Sequence, residues 1–173
     1  ISIKIPQDSD LGLNIATASG DVNVDVISND VTCNTSSGDV NITTQSNNVN
    51  VNTASGDVQV SKCKKEIYVN TVSGDVKVNS ENPEITVNTV SGDIEIDVNE
   101  NKDLNVRGVS SDINIHIKEK TGSIELKTVS GEIQIDSYYK DSSKKISKSH
   151  DQSFSNDEIE ISAATVSGDI TVD

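Results

Sequence analysis

Eight acidic residues recur at one phase of the chain: Asp21, Asp39, Asp57, Asp75, Asp93, Asp112, Glu132 and Asp169. If the segments that carry them stack as strands, their carboxylates stand about 4.8 Å apart. Two chemistries use such a row. Calcium takes six to eight oxygen ligands, carboxylates prominent among them. A retaining glycosidase needs a carboxylate pair about 5 Å apart. The calcium-binding repeat solenoids, however, use a nonapeptide with a G-G-x-G-x-D core, whereas here each 18-residue period carries a single turn glycine. The glycosidase spacing would arise between any two neighbouring repeats, and an acid/base pair needs two unlike environments that a uniform ladder does not supply. The expected role of the acids is local: an Asp after Gly accepts hydrogen bonds from nearby backbone amides and holds a turn. Repulsion along the ladder costs about 1 kcal/mol per close pair in water before screening.

Other groups capable of chemistry lack partners that the pattern would place beside them. Thr35, Thr53, Thr71 and Thr89, with Ser37, Ser55, Ser73 and Ser91, fall on the inward phase and read as hydroxyl ladders beside a corner. No base is placed to activate them. His116 faces out of a strand, and His150 lies in a divergent segment. The β-helical polysaccharide lyases combine acidic metal ligands with a basic residue, and Arg107 is the only arginine. Cys33 replaces a valine in an inward column, and Cys63 falls in a turn, read as a surface thiol. The two are too far apart to bridge, and their spacing suits neither a disulfide framework nor a metal site. No catalytic, cofactor or metal residue is assigned.

One column has an unusual composition. Val72, Val90, Val109, Val129 and Val166, with Ala18, Ala54 and Ser36, stand between the Thr and Ser columns. Strict alternation points them outward. Either the strand bends and buries them, or they form an exposed apolar stripe, which would mark an interaction surface.

The elements that must position these columns follow from the same repeat. Gly20, Gly38, Gly56, Gly74 and Gly92 are 18 residues apart, and the series continues through Ser111, Gly131 and Gly168 at steps of 19, 20 and 37. Each lies in a copy of a phrase such as Thr71-Val72-Ser73-Gly74-Asp75-Val76, the signature of a repeat architecture. Aligning the copies puts an apolar residue four and two places before the threonine, and two and four places after the glycine, without exception. Polar residues fill the gaps, so each repeat carries two short strands with one buried face. Neither strand buries that face alone; stacking makes continuous Val and Ile ladders. The predicted fold is all-β: a parallel β-solenoid of about eight rungs, with about 18 residues and two strands per rung. A triangular coil would show an aliphatic residue every six places, whereas here the pairs recur nine apart, which favours a flattened, two-sheeted coil. The crossover rule favours the right-handed form. The glycines at 20, 38, 56, 74, 92, 131 and 168 are read as structural turns, held at positive φ or in a crowded corner.

With 173 residues, residues 1–173 read as one domain with an inserted loop at 137–157. That loop is rich in Ser and Lys and holds Tyr138, Tyr139 and Phe154; its lysines suggest a solvated segment rather than a cap, leaving the last rung open to end-to-end self-association. Ile1 to Pro6 reads as an opening edge strand. The net charge of −14 argues against nucleic acid and anionic membrane as direct partners. The chain shows no transmembrane run and no signal segment, so no direct membrane insertion is expected of it. It contains no Met and is read as a processed chain or an excised domain.

The phrase formed by Ile67, Val69, Thr71, Ser73-Gly74-Asp75-Val76 and Val78, introduced by Ile3-Lys4-Ile5-Pro6, resembles the adhesin-labelled bacterial family of β-solenoid domains of unknown function. The resemblance spans nearly the whole chain outside 137–157. It implies a cell-envelope or extracellular location and supplies no catalytic residues. The expected function is a non-enzymatic scaffold or adhesion-like binding module with a protein or glycan partner at the envelope. The alternative is a carbohydrate-binding or carbohydrate-active β-helix, which a concave patch of aromatics would favour.

Overall fold

A computed structural model describes residues 11–26, 30–45, 47–81, 83–100, 103–119, 123–137, 152–156, 159–167 and 170–172. The expected opening strand at Ile1 to Pro6 lies outside them, as do Gly168, Asp169, the middle of the insertion and the side chain of Val166.

The described chain is made of strands. They are β1 (Leu13–Thr17), β2 (Val22–Val26), β3 (Asp30–Thr35), β4 (Val40–Thr44), β5 (Asn48–Ser55), β6 (Val58–Ser61), β7 (Glu66–Ser73), β8 (Val76–Ser80) and β9 (Glu84–Asn88). There follow β10 (Ile94–Glu100), β11 (Asp103–Arg107), β12 (Ile113–Glu119), β13 (Ser123–Ser130), β14 (Ile133–Ser137), β15 (Gln152–Asn156), β16 (Ile159–Ser167) and β17 (Ile170–Val172). No helix among the described residues is long and apolar enough to cross a membrane.

Through β14, odd and even strands separate into two sheets, as the nine-residue recurrence of apolar pairs requires, and β15 from the insertion shifts the count for β16 and β17. The first sheet runs β1-β3-β5-β7-β9-β11-β13-β16-β15, the second β17-β14-β12-β10-β8-β6-β4-β2. Every pairing is parallel except that of β15 with β16. The result is a parallel β-solenoid in which each rung gives one strand to each sheet.

Register follows the sequence repeat. Leu13 pairs with Val31, Val31 with Val49, Val49 with Ile67 and Ile67 with Ile85. A one-residue slip would turn each apolar column to solvent, so the alternation itself holds the register. From Val22 through Ile135 the four inward columns form one buried cluster between the sheets, with Leu13 and Ile15 half-buried at its start. The core is a sandwich of aliphatic ladders, each rung burying its face only because the next rung covers it.

The end of the first sheet departs from the sequence reading. β15 comes from the insertion and lies antiparallel along β16, with Phe154 opposite Ile161. The lysine count favoured a solvated segment and an open edge, but Gln152–Asn156 lies beyond those lysines and carries none. Four of its five residues are polar, which an edge strand tolerates.

Candidate functional site

The recurring phrase of each repeat builds one corner, where the chain leaves the first sheet and enters the second. The threonine is the last buried residue of its strand. Its Oγ1 donates to the carbonyl two residues on: Thr35 to Ser37 at 2.9 Å, Thr53 to Ser55 at 3.0 Å and Thr89 to Ser91 at 3.1 Å. This local bond satisfies a buried hydroxyl and bends the chain outward. The two residues after the threonine then both lose burial. The expectation that the serines face inward is therefore wrong: Ser55, Ser73 and Ser91 are exposed, and only the threonines are buried.

Glycine follows with φ between 108° and 140° at Gly20, Gly38, Gly56, Gly74, Gly92 and Gly131. The corners are also crowded. A Cβ on Gly56, Gly74 or Gly92 would lie 2.3 Å from the carbonyl oxygen of the glycine one rung before. Both readings of the turn glycine hold together.

The acidic ladder closes the corner. Asp39 N–H donates to Asp21 Oδ1 at 3.2 Å, Asp57 to Asp39 at 3.0 Å, Asp75 to Asp57 at 2.9 Å and Asp93 to Asp75 at 2.9 Å. The series continues from Asp112 to Asp93 and from Glu132 to Asp112. In return, Val22, Val40 and Val58 donate their N–H to the backbone carbonyls of Asp39, Asp57 and Asp75, each at 2.8 Å. Each rung is thus tied to the next in both directions at the acidic residue. Six carboxylates serve as acceptors for backbone amides, and charge-assisted bonds of this kind are the stronger ones. The bonding reaches to the following rung, a longer range than a turn residue serving its own loop.

The sixth corner is built differently. Gly108 stands where the others have Thr, and Ser111 where they have Gly. Ser111 is 3% exposed, and among the described non-glycine residues only Lys62 has positive φ. A Cβ on Gly108 would fall 2.7 Å from Ser111 Cβ. The serine side chain has turned inward into the room left by the missing threonine. Thr128 in the next rung donates both to Ser111 O at 3.2 Å and to Ser130 O at 3.1 Å.

Two outer faces flank the corner. On the second sheet an open groove of 1110 Å³ runs along the rod, lined by the Asp ladder and by Asn23, Asn41, Gln59, Lys77 and Glu95. Lys77 Nζ meets both Glu95 oxygens at 2.8 Å. His116 lines the same groove, between Asp97 and Asp136 in register. On the first sheet, Asn14, Thr32, Asn50, Tyr68 and Thr86 form one outward column, and Ala16, Asn34, Asn52, Asn70 and Asn88 its neighbour. Asn52 Nδ2 donates to Asn34 Oδ1 at 3.1 Å and to Asn50 Oδ1 at 2.9 Å. Farther along this face Lys127 and Arg107 flank Glu125 and hold its carboxyl below the usual range, chiefly through the Lys127 hydrogen bond and against partial desolvation.

The valine column lies on the ridge between these faces. Val72, Val90, Val109 and Val129 are between 46% and 53% exposed. Their backbones remain in the ladder, since Val72 O and Val90 O accept from Ser91 and Ser110 at 3.0 and 2.9 Å. Of the two alternatives open at the sequence level, the exposed stripe is the one adopted, because the threonine-to-serine bond starts the corner at this residue.

Cys63 is not a surface thiol. It is 2% exposed, and its Sγ donates to Asn47 O at 3.4 Å and Glu66 O at 3.2 Å. Lys62, at φ 64°, turns the chain so that Cys63 fills the second bend of its rung. Burial pushes the thiol up from its ordinary value at both Cys33 and Cys63.

Fold and corner together define a two-sheeted parallel β-solenoid repeat domain. The chain belongs to the Toastrack DUF4097 family, whose model matches residues 1–173. Neither the curated proteins nor the solved structures yield a match to it.

Proposed function

We propose that this chain is a non-enzymatic scaffold of the bacterial cell envelope that presents its valine ridge to a protein partner. The exposed ladder of Val72, Val90, Val109 and Val129 carries the reading. Four valines in adjacent rungs lie about 4.8 Å apart on a rigid backbone, on a surface otherwise rich in Asn, Ser, Asp and Lys. Apolar groups at fixed spacing lose little entropy on binding. The corner chemistry supports a structural role for the groups that looked reactive, because the ladder carboxylates accept amides from the next rung and the threonine hydroxyls donate to local carbonyls. The net charge of −14 sets the chain against polyanionic partners.

The test is a photoreactive residue at Val90, with a control at Asn79 on the outer face of the second sheet, in the full-length protein in its native cells. Adducts at position 90 and none at 79, recovered in the envelope fraction, are expected. Equal labelling at both positions, or recovery in the cytosol alone, would overturn the reading.

A further inference from the structure

We infer that the outer face of the first sheet, centred on Tyr68, is a binding platform for a linear, uncharged polysaccharide. This surface borders the valine ridge but is built from other side chains, so either reading can fail while the other stands.

Charge distribution points to this ligand class. The protein carries a net charge of −14, yet the two central outward columns of the first sheet hold no charged residue from β1 through β9. Amides, hydroxyls and one aromatic ring occupy them. A nucleic acid needs cations along its backbone, and these rungs offer none in the two columns. A protein partner would bury an apolar patch, and the columns supply only Ala16 and Tyr68. An uncharged chain of sugar rings matches what is present, since each ring displays hydroxyls at its edge and an apolar C–H face.

The parts are also arranged for it. Tyr68 is half-buried and lies in register between Asn50 and Thr86. It is the only aromatic residue on β1, β3, β5, β7, β9, β11 and β13. An aromatic ring fixed on a sheet offers a large contact at low entropic cost. Beside it, the Asn52 amide donates to both Asn34 and Asn50. These bonds orient the amides before any ligand arrives, and an asparagine amide retains further donor or acceptor capacity after one such bond. Strands repeat about every 4.8 Å, close to the advance of one ring in an extended hexose chain. The face therefore offers at least one amide to each successive ring, a pair of them at Asn50 and Asn52, with Tyr68 stacking beneath the ring of the next rung.

The experiment measures binding of cellohexaose, chitohexaose and a soluble linear β-glucan by calorimetry, with polygalacturonate as the charged control. The expected result is binding to at least one neutral probe and none to the charged one. Tyr68→Ala should weaken that binding at least about tenfold, Tyr68→Phe should retain it, and Asn52→Asp should weaken it by placing a charge in the neutral strip. Lys77→Ala on the opposite sheet should leave it unchanged. Thermal melts of all variants separate lost binding from lost fold. No binding to any neutral probe at millimolar concentration, or unchanged affinity in a folded Tyr68→Ala, would overturn the inference. Capture of a polypeptide by this face without any sugar binding would overturn it in favour of a protein surface.

Discussion

Replacing the turn glycine of a central rung separates two costs that the corner combines. In Gly74→Ala the new Cβ would stand 2.3 Å from Gly56 O and 2.7 Å from Gly56 C, both backbone atoms. The residue would also sit at φ 128°. Gly20 is the natural control. Its φ is 114°, and a Cβ there meets nothing within 4 Å among the described residues. Gly20→Ala therefore carries the conformational cost alone, about 1–3 kcal/mol for a residue held in a sparsely populated region. Gly74→Ala adds the steric cost. The rung cannot move away to relieve it without lengthening the bonds Asp75 N–H to Asp57 Oδ1 at 2.9 Å and Val58 N–H to Asp75 O at 2.8 Å. Each is worth about 0.5–1.5 kcal/mol net. The central variant should thus lose about 1–3 kcal/mol more than the terminal one. Gly74→Val should do worse than Gly74→Ala, because a β-branched side chain tolerates positive φ least.

Urea unfolding followed by circular dichroism gives the comparison, provided the denaturant slope is unchanged between variants. Solenoids can unfold piecewise, so amide exchange at the β5, β7 and β9 corners should accompany the melts. Equal destabilisation by Gly20→Ala and Gly74→Ala would refute the steric half of the reasoning. An unchanged Gly74→Val would refute both halves.

The sixth corner predicts non-additivity: Gly108→Thr alone should clash with Ser111, yet Gly108→Thr with Ser111→Gly restores the phrase of the other rungs. The double variant should be more stable than the sum of the singles by about 0.5–3 kcal/mol in a thermodynamic cycle, and simple additivity would sink the compensation. Cys33 lies between Ile15 and Val51 in register, and its thiol is raised above the ordinary 9.0. A raised folded value contributes stability that is fully present below the unfolded value and lost as pH rises through the folded one. Cys33→Val should therefore flatten the decline in melting temperature above about pH 9, and parallel curves would count against it. Because the ladder carboxylates are engaged by amides, melts with excess calcium and with chelator should coincide; a strong rise with calcium would reinstate a metal role for the acids.

The two-sheeted coil was legible because stacking amplifies a period of two. Val49, Val51, Val58 and Val60 recur in their neighbours at fixed distance, and one rung's alternation means little until the next repeats it. The crowded turn was legible for the same reason: a glycine required in nearly every copy points to backbone geometry rather than to packing. What escaped was side-chain direction at the corner. Period-two counting carries Ser73 inward, but the Thr71 hydroxyl donates to Ser73 O at 3.4 Å and the strand has already begun to turn. Alternation holds only where φ and ψ stay extended. Cys63 was misplaced by a similar local event, the positive φ at Lys62, which no composition signal announces. The compensating pair at Gly108 and Ser111 was visible as two departures from the phrase; their being one event required coordinates.

The edge at β16 shows how an insertion can matter by direction more than by sequence. A parallel solenoid grows because every new rung repeats the register of the last, and its final strand presents the template for another copy. Were the segment at 137–157 merely solvated, β16 would offer that template along its whole length. β15 instead runs antiparallel along it, from Gln152 opposite Ala163 to Asn156 opposite Ile159. A further rung of the same repeat would have to displace five paired residues before it could add in parallel. An antiparallel strand also spaces its hydrogen bonds in alternating close and wide pairs, which do not match the even spacing of a parallel neighbour. The same chain that builds a self-templating ladder thus supplies, from its one irregular connection, a strand of the wrong polarity to continue it.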